Sequence, residues 1–164
     1  MPLRWSSPLV VFTGRLAYVG TDRLDISPLT RDPLGQAFAP EPEQLTHLQR
    51  RPPGSPRGEA AWQAFVADYT EAMRASLRAS LATPYGAWPT LLAQHEVTLV
   101  CLCVEPARCH RRVLAGLLGR CGARVEGERP APALAVRKTN APGPCLLPDA
   151  QKVLAARGAD GSGR

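Results

Sequence analysis

The apolar run Val97–Val104 is the feature that most constrains the fold of this chain. It is β-prone and is broken at Pro106, after which apolar residues at helical spacing indicate a helix over His110–Cys121. Gly122 ends that helix, and Ala123–Gly127 has the character of a following strand. Strand, helix and strand in this order form a βαβ unit, in which the two strands are parallel. The sequence therefore predicts a sheet that is at least partly parallel.

The remainder of residues 1–128 supplies further elements of the same kind. Leu9–Thr13 is apolar and indicates a first buried strand. The other predicted elements are a short extended piece at Leu24–Ile26 and helices over Glu43–Arg50, Glu59–Leu81 and Ala87–His95. In the longest helix one apolar stripe is built by residues three and four apart, namely Trp62, Phe65, Val66, Tyr69, Met73 and Leu77. We expect one compact, three-layer, Rossmann-like α/β domain with a mostly parallel sheet over residues 1–128.

The net charge of +6 is concentrated near the carboxyl end of the chain. Residues 1–128 contain 14 basic and 12 acidic side chains, a balance of +2, whereas residues 129–164 contain 6 and 2, a balance of +4. This last segment is rich in Pro, Gly and Ala, so we expect a weakly ordered basic tail with a short helix at Ala150–Arg157. A basic tail is usually solvated, and the charge alone therefore does not establish a nucleic-acid partner.

Two classes of protein are disfavoured by composition. No apolar stretch approaches the roughly 20 residues that span a bilayer, and the amino terminus lacks an export signal, so we expect a soluble, cytoplasmic protein that binds no membrane. Five cysteines are an odd number, and Cys101 and Cys103 as neighbours on one strand are poorly placed to pair. Reduced thiols with a chemical or packing role are therefore expected.

Residues 101–112 contain three of the five cysteines and one of the three histidines. If the helix begins near Cys109, then Cys109 and His110 occupy its first turn, where unpaired N–H groups and the helix dipole favour a thiolate or a bound anion. This arrangement is typical of thiol or imidazole catalysis. The alternative is structural, since free cysteines such as Cys101 are commonly small buried residues.

Two further interpretations of the same segment remain open. Cys101, Cys103, Cys109 and His110 are all ligand types that zinc accepts, but strand residues two apart lie about 6.6 Å apart in Cα separation, and no second C-x2-C knuckle exists. Cys103 and Arg108 have the C-x4-R spacing of sulfur-transfer loops, although Pro106 removes one N–H group from the cradle that such loops need. We predict no metal and no cofactor.

The segment Leu-Val-Cys101-Leu-Cys103-Val-Glu-Pro-Ala-Arg-Cys109-His110-Arg111 resembles the carboxyl-terminal signature of domain-of-unknown-function family 488 (DUF488), in its phage and bacterial branch. That signature is a strand-end cysteine followed eight residues later by Cys-His-Arg. The resemblance implies that Cys101, Cys109, His110 and Arg111 are the corresponding site residues. The family typically has Glu two residues after the first cysteine, and this chain has Cys103 there, which puts an acid role at that position in doubt.

The resemblance extends over residues 8–128 and excludes the tail. It includes Arg15 and Tyr18 after the first strand, the segment Asp22-Arg23-Leu24-Asp25-Ile26, the segment 37–40, and stretches of two helices. The family implies a compact α/β domain but no established reaction. A loop after the first strand can reach the sheet edge at which the Cys-His segment lies, so we expect a shared pocket there.

The sequence predicts a small α/β protein that acts on a phosphate-bearing or nucleic-acid-related substrate through a Cys-His-Arg corner, and it leaves open whether the protein is an enzyme. The candidate catalytic residues are Cys109, His110 and Cys101. The candidate anion- or substrate-binding residues are Arg111, Arg23, Arg15, Tyr18 and Asp25. The alternatives are a non-enzymatic nucleic-acid or nucleotide-binding module and a zinc-stabilised accessory fold. The sequence fixes neither the substrate nor the oligomeric state.

Overall fold

The computed structural model describes residues 8–49, 54–80, 82, 85–103 and 105–131 of the chain. The strands are β1 (Val10–Arg15), β2 (Arg23–Asp25), β3 (Glu96–Cys101) and β4 (Arg124–Arg129). The helices are α1 (Pro33–Gln36), α2 (Pro42–Gln49), α3 (Pro56–Ser80), α4 (Ala87–Leu92) and α5 (His110–Arg120), with a 3-10 turn at Pro106–Arg108. All of these elements lie in one compact unit. The predicted tail helix at 150–157 lies outside the described residues.

The four strands form one sheet in the order β2-β3-β1-β4, and every pair in it is parallel. The predicted α/β fold with a parallel sheet is therefore confirmed. Among the described helices, none is both long and apolar enough to cross a membrane.

Several element boundaries differ from the sequence prediction for local physical reasons. The strand predicted to continue to Val104 ends at Cys101, because the chain turns there before Pro106. The unpredicted helix α1 begins where the Asp32 carboxylate caps two backbone N–H groups, those of Leu34 and Gly35. β4 continues through Arg129, which the sequence analysis assigned to the tail.

The hydrophobic core lies against one face of the sheet. Val11, Val97, Leu99 and Leu24 lie at positions of the parallel register that share this face, and all four are buried. The helices pack over them through the apolar stripe predicted for α3 and through Trp88, Leu91, Leu114 and Leu118. The stripe prediction is confirmed: Phe65, Tyr69 and Met73 are in the core cluster, and Trp62, Val66 and Leu77 pack against it.

The opposite face of the sheet is covered by a polar layer. The loop between β1 and β2 crosses this face, where Tyr18 donates a hydrogen bond to Asp22 at 2.7 Å and Thr98 donates another to the same carboxylate. Arg129 forms an ion pair with Asp22 at 3.2 Å and stacks on the Phe12 ring at 3.8 Å. Within the described residues this loop stands where the expected third layer of helices would lie.

The two central strands send their connections to opposite faces of the sheet. The chain leaves β1 over the polar face, whereas it leaves β3 toward α5 on the core face. In open α/β sheets such a divergence between adjacent parallel strands marks the usual ligand position, at the carboxyl ends of the strands. Cys101, the last residue of β3, lies at this edge of the sheet next to Arg15 of β1.

Candidate functional site

Four side chains converge at the carboxyl end of β3. The sulfur atoms of Cys101, Cys103 and Cys109 and a ring nitrogen of His110 all lie within 4.8 Å of one another. The Cys101 sulfur is 3.2 Å from the Cys103 sulfur and 3.7 Å from His110 Nδ1, and the Cys103 sulfur is 3.9 Å from the same nitrogen. We refer to these four residues as the Cys-His cluster.

The local fold explains how residues nine positions apart come together. β3 ends at Cys101, the Cys103 N–H group donates to the Cys101 sulfur at 3.4 Å, and the two sulfurs lie 3.2 Å apart. The spacing argument against zinc treated both cysteines as residues of one strand, whereas Cys103 lies beyond the end of β3. The turn at Pro106–Arg108 then returns the chain, and α5 begins at His110.

Cys109 occupies the N-cap position of α5 rather than its first turn. Its backbone is extended, with φ −130° and ψ 135°, and its side chain is fully buried. Its sulfur therefore lies on the protein side of the cluster.

The imidazole of His110 is held in one orientation by the protein. Its Nε2 atom donates to the backbone carbonyl of Ile26 at 2.7 Å, and its Nδ1 atom faces the Cys101 and Cys103 sulfurs. The Tyr69 ring meets the imidazole edge-on at 5.8 Å between centroids, and the Tyr69 hydroxyl donates to the Phe38 carbonyl at 2.6 Å. This carbonyl–imidazole–sulfur alignment is the kind of support that a reactive or ligating histidine needs.

The sulfur atoms shift one another's pKa values in opposite directions. Hydrogen bonds from Cys103, then from Cys109 and His110, lower the pKa of Cys101 despite its burial. Hydrogen bonds with Cys101 and then with Cys103, together with burial, raise the pKa of Cys109. Burial alone would lower the pKa of His110, but hydrogen bonds to Cys101 and Cys103 raise it to about 9. The cluster therefore favours negative charge on Cys101 and protons on its neighbours.

An apolar pocket of about 410 Å³ opens beside the cluster, and Cys101 and Cys103 form part of its wall. Its other lining residues come from the loop after β2, from α2, from the start of α3 and from the turn before α5, and they include Leu29, Leu45, Thr46, Gly58, Trp62 and Arg108. The size and lining suit a small organic ligand. Arg108 at this pocket forms an ion pair with Glu59 of α3.

The structure brings together three of the predicted site residues, Cys101, Cys109 and His110, and places the predicted anion-binding residues elsewhere. Arg111 is fully buried, where its guanidinium donates to the Gly14 carbonyl at 2.8 Å and to Glu128 at 3.1 Å. Its Nε atom has no hydrogen-bond partner among the described residues. Arg111 therefore faces protein oxygens and not the pocket.

The other predicted binders belong to local contacts near β2 and to the polar face. Arg23 donates to the Leu16 carbonyl at 3.4 Å and pairs with Asp25 at 3.5 Å. Tyr18 lies in the network with Asp22 and Arg129. Arg15 is exposed beside Cys101 in the strand register.

Three contributors to this region are not among the site residues predicted from the sequence. Cys103 carries a sulfur atom of the cluster and was set aside on strand geometry. Arg108 at the pocket was recorded only for its spacing from Cys103. Arg129 was assigned to the tail. The charged, alternating stretch Arg124–Arg129 could have indicated that it belongs to a strand, because this stretch forms the edge strand β4.

A family model described as the active DUF488-N3 subclade matches residues 18–122, which is more than half of the chain. The chain belongs to the DUF488 family. The matched region contains the whole Cys-His cluster and every pocket residue named above. No curated protein and no solved structure matches the chain significantly. The resemblance expected from the Cys-His-Arg signature is thus confirmed, and function has to be argued from the site.

Proposed function

We propose that this DUF488 protein is an enzyme that binds a small organic substrate in the apolar pocket and acts on it with a sulfur atom of the Cys-His cluster. The observation that carries the proposal is that two cluster sulfurs, those of Cys101 and Cys103, form part of the pocket wall while His110 Nδ1 faces both of them. A nucleophile, a nitrogen base and a group that orients the base are the parts of an activated thiol.

The roles differ between the three cysteines. We assign Cys103 as the reacting thiol because it is partly exposed. Cys101 is 2% exposed and supplies the second sulfur in the pocket wall. Cys109, a predicted nucleophile, is fully buried, and we assign it a supporting role. Arg111 is assigned a supporting role for the same reason.

The substrate class follows from the lining of the pocket. Its walls are mainly apolar and include the indole of Trp62, whose ring stacks on Phe65 at 5.5 Å. Arg108 at these walls is a cation that is already paired with Glu59, and an anionic substrate group would share it or replace that partner. We therefore assign a substrate with an apolar or aromatic body and one anionic group, and phosphate-bearing nucleotides are the first members of this class to test.

The proposal is tested by comparing the alkylation of individual cysteines by iodoacetamide and by its N-benzyl derivative, using mass spectrometry. Cys121 is an exposed cysteine outside the cluster and serves as the internal reference. Thr46→Trp fills the pocket, and Thr90→Trp is its matched control, because Thr90 is also exposed on a helix and also bonds to the carbonyl four residues earlier.

We expect the benzyl reagent to label Cys101 or Cys103 at least about tenfold faster, relative to Cys121, than iodoacetamide does. Thr46→Trp should remove this preference and Thr90→Trp should retain it, and a nucleoside monophosphate should slow the labelling. The measurement is made on the protein as purified and after treatment with a chelator. Absence of the preference in both states would overturn the proposal.

A further inference from the structure

We propose that the Cys-His cluster is a Zn²⁺ site, in which Cys101, Cys103, Cys109 and His110 supply four ligands to one ion. The inference uses all four side chains of the Cys-His cluster, whereas the proposed function uses Cys101, Cys103 and His110. With zinc bound, His110 Nδ1 would be a ligand and a zinc-bound thiolate would be the reacting sulfur. Zinc content and pocket-dependent labelling are measured separately, so either proposal can fail without the other.

Cys109 is the residue that thiol chemistry leaves unexplained. It is fully buried at the N-cap of α5, yet its sulfur lies with two other sulfurs and an imidazole within 4.8 Å. A divalent cation at the centre would give the buried Cys109 sulfur a role, because it would bind three deprotonated sulfurs and one imidazole nitrogen together.

The spacing of the ligand atoms fits a tetrahedral ion. Sulfur atoms at about 2.3 Å from a shared zinc lie roughly 3.7 Å from one another. The Cys101 sulfur is already 3.7 Å from His110 Nδ1, and the Cys103 sulfur is 3.9 Å from it. The 3.2 Å between the Cys101 and Cys103 sulfurs requires an opening of about 0.5 Å, which a small χ1 rotation of the partly exposed Cys103 supplies.

The surroundings of the cluster also suit a metal centre. The Ile26 carbonyl accepts from His110 Nε2 at 2.7 Å, and such a partner fixes both the ring and the nitrogen that ligates. The Cys103 N–H group donates to the Cys101 sulfur, which stabilises a thiolate ligand. Three thiolates and one imidazole match zinc, whereas Mg²⁺ and Ca²⁺ prefer oxygen ligands.

Four protein ligands make a closed site, which is the form of structural zinc centres. It would join the end of β3 to the start of α5. With the ion bound, Cys103 is the ligand that remains partly exposed at the pocket. The zinc would hold the wall of the pocket in place and keep the sulfurs deprotonated.

The test is the zinc content of the full chain, purified from zinc-supplemented cells without chelators, together with Co²⁺ titration of the chelated protein. We expect one zinc per chain and the intense visible bands of tetrahedral, thiolate-bound Co²⁺. Cys103→Ser should weaken metal binding by about 100-fold or more, since loss of a partner outside the ligand shell alone costs 10–100-fold. Cys121→Ser removes an exposed thiol outside the cluster and should retain the metal.

Cys109→Ser alters a fully buried side chain, so the folding of this variant is checked by circular dichroism. Cys103→Ser is the main test variant, because Cys103 is partly exposed. A folded wild-type chain without zinc, whose Co²⁺ form lacks tetrahedral bands, would overturn the inference. Equal metal binding by Cys103→Ser and wild type would also overturn it. Zinc binding without pocket-dependent labelling would refute only the proposed enzyme, and labelling without zinc would refute only the metal site.

Discussion

Replacement of Arg111 should reduce stability rather than simply remove an anion-binding group. The side chain is fully buried, and it joins α5 to the ends of β1 and β4 through the Gly14 carbonyl and Glu128. Loss of the charge-assisted bond to Gly14 costs about 1.5–3 kcal/mol. Loss of the buried aliphatic stem, which has three methylene groups at about 0.8 kcal/mol each, costs about 2.4 kcal/mol more.

Two substitutions separate these contributions. Arg111→Ala loses both and should lower the free energy of unfolding by about 4–5 kcal/mol, in the range found when a buried ion pair loses one partner. Arg111→Met keeps an apolar stem of similar length and removes the unpartnered Nε atom from the interior. It should therefore cost only about 1–2 kcal/mol, since the Gly14 carbonyl is then left unpaired.

The assay is equilibrium unfolding in urea of both variants and of wild type, with zinc saturating in every sample. Glu128→Gln is the partner control, and it should cost about 1 kcal/mol or less because Glu128 is partly exposed. Unfolding free energies of both Arg111 variants within about 0.5 kcal/mol of wild type would refute this reasoning. Loss of nucleotide protection in a fully stable Arg111→Met would instead support the anion-binding role expected from sequence.

Three further predictions concern the fold around the site. Burial would raise the pKa of Asp22, but hydrogen bonds from Thr98 and Tyr18 and the charge of Arg129 hold it below its usual value. Asp22→Asn should therefore lower stability by about 1–2 kcal/mol at pH 7. This difference should begin to shrink below about pH 4, the ordinary pKa of an aspartate, and should be lost only as the pH falls through the lowered pKa of Asp22. A difference that does not change with pH in urea melts would contradict this prediction. Gly35→Ala places a Cβ 1.9 Å from the Asp25 carbonyl oxygen, whereas the Cβ of Gly116→Ala on α5 meets nothing within 4 Å. Thermal melts should therefore show strong destabilisation by Gly35→Ala and a gain of about 0.5–1 kcal/mol from Gly116→Ala. Equal effects of the two substitutions would count against the packing described. Tyr69→Phe removes the 2.6 Å bond to the buried Phe38 carbonyl and should cost about 1–3 kcal/mol, and an unchanged urea midpoint would show that this bond contributes nothing.

The fold was predictable from the sequence because local signals agreed with the tertiary structure. The local apolar pattern matches the observed element in three places: β1 and β3 are apolar runs typical of buried strands, and α3 has an apolar stripe at helical spacing. The parallel sheet followed from the order of elements. The polar layer was not predictable, since nothing local in Tyr18, Asp22 and Arg129 shows that residues more than 100 positions apart meet.

The candidate site was predictable in part. Cys101 ends β3, and Cys109 and His110 lie at the start of α5. These two places meet in the fold, so the three side chains come together. Cys103 was misplaced because apolar character continued past the point where the strand ends. Arg111 looked available because it follows His110 in the signature, yet helix geometry directs it toward Gly14 and Glu128. Burial of a charged residue depends on tertiary partners that sequence spacing does not reveal.

The central claim is that three sulfurs and one imidazole nitrogen converge on one point. X-ray absorption at the zinc edge of the purified full chain tests this most directly, because it counts and identifies the atoms bound to the ion. We predict three sulfur atoms at about 2.3 Å and one nitrogen at about 2.0–2.1 Å. A shell of oxygen and nitrogen atoms only would contradict the account, as would a spectrum with fewer than three sulfur atoms.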